Sequence, residues 1–263
     1  MNDKLKNELN SFQSIWEGGY YEGDPLDPLS NSSYYPQGYI SILYAVYLIC
    51  IKPYVNSNST VLEIGCGRGA WTKTFLPAKE IWCLDALSAE HNGFWEYVGK
   101  RPNINYFKVD DFSCSMLPEN HFDYFFSFGA LCHVSFEGIS EYLKNIYPKL
   151  KPGATCFIMV ADYDKYNKSF KEIDKHIGTI QGLEKNLHEP EHPVIRLLKR
   201  VFKTKYYSFQ YQEDKNEDNI PRPGRWYNAG IERTCKTLEQ LGYKVISRDL
   251  EIIARDPVIQ FTK

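Results

Sequence analysis

The sequence predicts an α/β fold: a mostly parallel sheet with an antiparallel last strand and a helical cap inserted late in the chain. Three observations predict it. From residue 59 onward, short apolar runs alternate with longer mixed segments. The first run ends in Gly65, Gly67 and Gly69. The last two runs are joined by a short segment with a turn at Asp256-Pro257, which reads as a hairpin. Strands alternating with helices imply parallel pairing and a sheet covered on both faces. The 263 residues suffice for one large domain with a substantial core.

Taken in order, residues 1–38 are rich in Gly, Pro, Asn, Ser and aromatics. They read as a short helix and then an irregular segment around Trp16, Tyr20, Tyr21, Tyr34 and Tyr35, with turns at Gly18-Gly19, Asp24-Pro25 and Asp27-Pro28. A helix over 38–51 follows, closed by Pro53. Its apolar run is about 13 residues, short of the roughly 20 that cross a bilayer, so a buried helix is expected and no membrane span. Strands are predicted at Thr60–Ile64, Ile81–Leu84, Ile104–Val109, Phe122–Phe128 and Cys156–Val160, the fifth entered through Leu150-Lys151-Pro152-Gly153. Helices are predicted over 70–76 and over 137–149, where Ile139, Leu143 and Ile146 recur at helical spacing. Residues 161–230 are polar and carry both charge signs, which predicts an inserted, mostly helical cap. A helix over 230–241, stopped by Gly242, leads to strands Lys244–Ser247 and Val258–Thr262. The division expected is therefore a lid and helix (1–58), a cofactor-binding core (59–160), a substrate cap (161–230), and a helix with a β-hairpin completing the core (231–263).

Composition narrows the function classes. A net charge of −2 creates no field for nucleic acid or an anionic membrane. The seven cysteines form no C-x-x-C pair, which argues against a disulfide framework or a zinc knuckle and fits a reducing cytoplasm. Met1–Glu8 lacks the apolar core of a signal peptide. Aromatics reach 15%, a surplus that fills cores and lines pockets alike.

The glycine loop follows a strand, and glycines permit positive φ and close backbone approach to a ligand. Such a crevice lies outside the carboxyl end of the first strand of a doubly wound sheet. Asp85 ends the second strand, where a carboxylate can accept hydrogen bonds from both hydroxyls of a ribose. Two cofactors fit this pattern. Gly65, Gly67 and Ala70 loosely satisfy a dinucleotide fingerprint. The other is S-adenosylmethionine (SAM).

Val61–Gly69, Asp85, Asp110-Asp111-Phe112, Phe122–His133 and Leu150–Ala154 together resemble the class I SAM-dependent methyltransferase family over about residues 59–161. The resemblance implies a Rossmann-like, seven-stranded class I methyltransferase sheet, with SAM as cofactor and S-adenosylhomocysteine as product. It implies that Glu63, Gly65, Cys66 and Gly67 meet the methionine and ribose parts of SAM. Asp85, with Ala86 beside it, would hold the ribose diol. Asp110 or Asp111 would meet the adenine amino group, with Phe112 on the ring, and Phe128 and Gly129 would lie near the sulfonium. Read alone, Asp110 is equally a helix cap, and Cys66 is a small buried residue.

Methyl transfer to an oxygen needs proximity, alignment and a base for the acceptor's proton. His133, just past the fourth strand, is the first candidate, because an ordinary histidine titrates near neutral pH. A histidine that only packs there is the alternative. Asp162 is the second catalytic candidate, and Asp164 can orient an acceptor hydroxyl. Magnesium-dependent relatives place carboxylates after the fourth and fifth strands; Ser127-Phe128-Gly129 offers none on the fourth, so no metal is expected. His188-Glu189-Pro190-Glu191-His192 matches H-E-x-x-H, but Pro190 disturbs the helical turn a zinc site needs. The cluster at 196–205 reads as a solvated helix face or an anion site.

Gly224–Gly230 resembles sugar O-methyltransferases. Arg225, Trp226, Tyr227 and Asn228, with Tyr35, have the chemistry to bind a carbohydrate, and the same cluster could anchor the cap. The expected function is SAM-dependent O-methylation of a sugar, on a surface polysaccharide or a glycosylated metabolite. The expected partner is a small-molecule or glycan substrate, with a homodimer compatible. The alternatives are another small-molecule acceptor, an NAD-dependent oxidoreductase, and a non-catalytic SAM-binding protein.

Overall fold

The computed structural model describes residues 3–13, 18, 23–28, 41–169 and 226–263. The expected features around Trp16, Tyr20, Tyr21, Tyr34 and Tyr35, at 188–192 and 196–205, and at Arg225, lie outside the described residues.

Seven strands form one sheet in the order β3-β2-β1-β4-β5-β7-β6. They are β1 Thr60–Ile64, β2 Glu80–Asp85, β3 Ile104–Lys108, β4 Phe122–Ser127, β5 Leu150–Met159, β6 Lys244–Ser247 and β7 Val258–Thr262. The first five pair in parallel. β7 runs antiparallel between β5 and β6, closing the expected hairpin. Strand order reverses between β1 and β4, so the two connections leaving them diverge and open a crevice at their carboxyl ends.

Alternation along each strand fills two cores. On β1, Leu62 and Ile64 face one side, packing with Phe125, Ile139, Leu143, Ile158 and Phe261. Val61 faces the other, with Val46, Ile51, Phe75, Tyr124 and Phe126. The first core is covered by α1 (Asp3–Phe12), α4 (Phe136–Ile146) and α5 (Ile231–Gln240). The second is covered by α2 (Ile42–Val46), a π turn (Tyr47–Ile51), a 3₁₀ turn (Thr72–Phe75) and α3 (Phe94–Val98). Burying each large apolar side chain contributes about 1.5–3 kcal/mol. Among the described residues no helix is long and apolar enough to cross a membrane. All seven cysteines are buried and unbridged.

Three local expectations are corrected. The helix over 38–51 begins, within the described residues, at Ile42, where the Ser41 hydroxyl accepts the Tyr44 N–H, and its second half is a π turn. The helix over 70–76 is instead the four-residue 3₁₀ turn. β5 starts at Leu150, six residues before the predicted Cys156. Leu150 pairs with Phe122 and Thr155 with Tyr124, so Pro152 and Gly153 bulge out of a strand that continues past them. The opposing residue, Asp123, holds the bulge by accepting the Thr60 N–H at 3.0 Å and the Lys151 ammonium at 3.0 Å.

Candidate active site

At the end of β1 the chain turns sharply, and Gly65, Gly67 and Gly69 take φ of 75°, 51° and 95°. Side chains are strained at such angles. The Gly65 N–H donates to the Leu84 carbonyl at 2.7 Å, tying the loop to β2. A Cβ on Gly65 would lie 2.0 Å from the Ala130 Cβ, so the turn after β4 packs directly on the glycine. These turns bound a crevice of about 1040 Å³, counting its open mouth. Gly65, Cys66, Gly67, Asp85, Ala86, Phe128, Gly129 and His133 all line it.

Asp85 is 8% exposed, and burial pushes its carboxyl up from the usual range. Two backbone donors oppose that: the Gly67 N–H at 2.8 Å and the Leu87 N–H at 2.9 Å. The carboxylate thus shapes the glycine loop while lining the crevice. Glu63 lies behind the loop rather than in the lining, 2% exposed. Its carboxylate accepts the Thr72 hydroxyl at 2.6 Å, and burial pushes its pKa up to about 8.

Asp110, Asp111 and Phe112 follow β3 but are not in the lining. Asp110 is exposed, and Asp111 accepts the Ser113 N–H at 2.8 Å in a local turn. Phe112 is fully buried against Tyr142, with ring centroids 4.7 Å apart, and against Gly138, whose added Cβ would meet the ring at 2.7 Å.

His133 closes a 3₁₀ turn, Leu131–His133, at the crevice rim. Asp162 is not in the lining. One of its oxygens accepts the Lys165 N–H and the other the Ile231 N–H, each at 2.7 Å, so it holds two helix starts. Asp164 is exposed. Trp226, Tyr227 and Asn228 also stand outside the lining and attach their segment to the sheet. The Trp226 indole donates to Asp256 at 3.1 Å and packs on Tyr163. The Tyr227 N–H donates to the Cys132 carbonyl at 2.9 Å, and the Asn228 side chain accepts the Tyr163 N–H at 3.1 Å. Ala161 bridges to Asn228, so the two ends of the 161–230 insertion leave the sheet side by side.

Several lining residues were not anticipated. Leu9 and Phe12 reach the crevice from α1, as do Leu43 from α2, Trp71 from the loop, and Asn92 from the turn after β2. Leu5, Leu9 and Phe12 repeat at helical spacing, which signals an apolar face on α1. The attachment of that helix is a long-range contact. The buried Glu8 carboxylate accepts the Ser135 N–H at 2.5 Å and its hydroxyl at 2.7 Å, 127 residues away.

A family model described as a methyltransferase domain matches residues 45–198. Phosphoethanolamine N-methyltransferase of Plasmodium falciparum is 28% identical over 65% of this chain and 66% of that protein. Sterol 24-C-methyltransferase of Clavispora lusitaniae is 22% identical over 87% of this chain and 68% of that protein. The chain therefore spans about two thirds of the length of these curated relatives. Among solved structures, a SAM-dependent methyltransferase from Mesorhizobium loti superposes with a TM-score of 0.54 at 13% identity, covering 85% of this chain and 98% of that one. The N-methyltransferase NodS from Bradyrhizobium japonicum WM9, in complex with S-adenosylhomocysteine, gives 0.52 at 13% identity, covering 97% and 98%. These likenesses carry the fold.

Proposed function

The chain belongs to the methyltransferase-domain family, and from that premise we propose that it uses SAM as its cofactor and methylates a hydroxyl of a sugar, with His133 as the base. The observation that carries this reading is the position of His133 at the crevice rim, on the turn that packs against Gly65. The crevice fits the cofactor's nucleoside: a glycine bend gives close backbone approach, and a carboxylate at the end of β2 faces the space where a ribose would lie. In this reading Asp85 and Ala86 meet the ribose, and Gly65, Cys66 and Gly67 meet the amino-acid tail, with Glu63 supporting the loop from behind. Asp110 or Asp111 is assigned to the adenine amino group, although neither lines the described crevice.

When bound, the cofactor supplies a methyl group already activated by its sulfonium. The chain's residues do the rest. The glycine loop and Asp85 align the donor for in-line displacement. Trp71 and Phe128, with ring centroids 4.7 Å apart, give an apolar wall that excludes water and suits the C–H face of a sugar. A His133 ring nitrogen takes the acceptor's proton as the new C–O bond forms and the C–S bond breaks. Tyr35, Asp164 and Arg225 are the polar groups this reading assigns to the acceptor. Asp162, Trp226, Tyr227 and Asn228 support it indirectly, by holding the ends of the cap.

A second reading is methylation of a small amine, favoured by the likeness to phosphoethanolamine N-methyltransferase. Incubation with labelled SAM, glycan extracts and a panel of small amines separates the two by which product carries label. His133→Ala is expected to lower single-turnover methylation at least 100-fold while S-adenosylhomocysteine affinity stays within about twofold. Unchanged turnover with intact binding removes His133 from the mechanism.

A further inference from the structure

The crevice carboxylate Asp85 belongs to a chain of hydrogen bonds that runs to Asn92. The Asp85 Oδ1 accepts the Leu87 N–H at 2.9 Å. The Leu87 carbonyl accepts the Tyr106 hydroxyl at 2.8 Å, and the Tyr106 oxygen accepts an N–H of the Asn92 amide at 3.0 Å. Asn92 thus stands at the far end of a relay through Tyr106 and Leu87 to Asp85, and its amide acts on the Asp85 carboxyl as a donor would, opposing the rise that burial causes.

Asn92 is 2% exposed and lines the crevice. It sits in the turn between β2 and α3, where its own N–H donates to the Ser88 carbonyl at 3.1 Å. Tyr106 comes from the adjacent strand β3, its ring packed edge-on against Phe94 at 4.8 Å. Two neighbouring strands and the turn between them are thus tied to one carboxylate. Of the donors that grip Asp85, those of Gly67 and Leu87 are backbone groups. The Cys66 thiol approaches only to 3.9 Å. The Leu87 donor is held from behind by the Tyr106 hydroxyl, and Tyr106 by Asn92. A carboxylate with several fixed donors keeps a fixed orientation, and its remaining lone pairs point one way.

We propose that Asn92 is a positioning residue for the cofactor, acting through Tyr106 and Leu87 to fix the Asp85 carboxylate so that its open edge meets the ribose hydroxyls. This rests on the reading that Asp85 binds the ribose.

The test compares S-adenosylhomocysteine with its 2′-deoxyribose analogue by titration calorimetry on the whole chain. Wild type is expected to bind the analogue about tenfold more weakly, the loss of one good hydrogen bond. Asp85→Ala should erase that penalty; if it persists in full, or wild type shows none, the ribose reading of Asp85 falls and the proposal with it. Asn92→Ala should reduce the penalty to about threefold or less. A merely structural Asn92 would weaken both ligands equally and leave their ratio at the wild-type value. Asp85→Ala erasing the penalty while Asn92→Ala keeps all of it would overturn the role of Asn92 and leave Asp85 standing. Tyr106→Phe keeps the ring and removes only the hydroxyl. It should lower the ratio part-way, and it decides the question should Asn92→Ala not fold, an unchanged ratio overturning the proposal.

Discussion

Replacing Glu63 by glutamine should make the ligand-free protein less sensitive to alkaline pH. Glu63 is enclosed behind the glycine loop, and its carboxyl is raised from 4.5 to about 8, first by burial and further by the charge of Asp85. The Thr72 hydroxyl opposes the shift without cancelling it. The folded state therefore holds a proton that the unfolded chain releases. Stability from this group is whole below pH 4.5, falls as pH rises, and levels off above about 8. The slope inside that window is about 1.4 kcal/mol per pH unit, so between pH 5 and pH 7.5 the loss is about 3 kcal/mol. A glutamine side chain in the same place would accept the same Thr72 hydroxyl and does not titrate. Wild type and Glu63→Gln should thus be nearly equal at pH 5, with the variant about 3 kcal/mol more stable at pH 7.5. Urea denaturation at both pH values reads this directly. Asp85 and Asp256 are also raised by burial and tilt both proteins the same way, so the diagnostic is the difference between them. An equal gap at the two pH values refutes the reasoning.

Two further predictions follow from the crevice walls. Gly65→Ala combines a φ of 75° with a Cβ placed 2.0 Å from Ala130; left-handed strain and overpacking together should cost about 3 kcal/mol, visible as a lower urea midpoint with an unchanged slope. Glu8→Ala removes the acceptor of two Ser135 hydrogen bonds, each worth about 1.5–3 kcal/mol to a charged group. Limited proteolysis should then cut ahead of residue 41 at least tenfold faster, and an unaltered rate would show that α1 is held by its apolar face alone.

The sheet was legible because its strands write their burial into the sequence. Val61-Leu62 and Phe125-Phe126 point alternately into two cores, so both must be apolar and the strand reads as a continuous run. The hairpin was legible from its spacing. β5 was misread at its start because Pro152-Gly153 ordinarily ends structure, and the pairing of Leu150 with Phe122 that overrides it is a tertiary contact. The 70–76 region has helical composition, but its last turn is packed tightly: Phe75 is fully buried against Tyr124 and Phe126. No local signal marks the π turn at Tyr47–Ile51.

Site residues divide along the same line. Gly65, Gly67, Asp85 and His133 sit at strand ends, where chain order and crevice geometry coincide, and they could be found by spacing. Asn92 and Glu8 reach their partners through space, across a turn and across 127 residues, and spacing says nothing of either. Trp226 illustrates the converse. Its composition suits a carbohydrate, yet its indole N–H is engaged by the fully buried Asp256 and its face by Tyr163 and Arg255. Among the described residues the aromatics that line the crevice are Phe12, Trp71, Phe128 and Tyr142 instead. Under the proposed sugar reading the stacking surface therefore moves from the stem of the cap to the loop after β1. With Asp85 assigned to the ribose, His133 is the one basic side chain among the described residues that line the crevice. In that reading Tyr35, Asp164 and Arg225 recognise the acceptor's polar groups, and His133 takes the one proton the acceptor loses as the methyl group arrives.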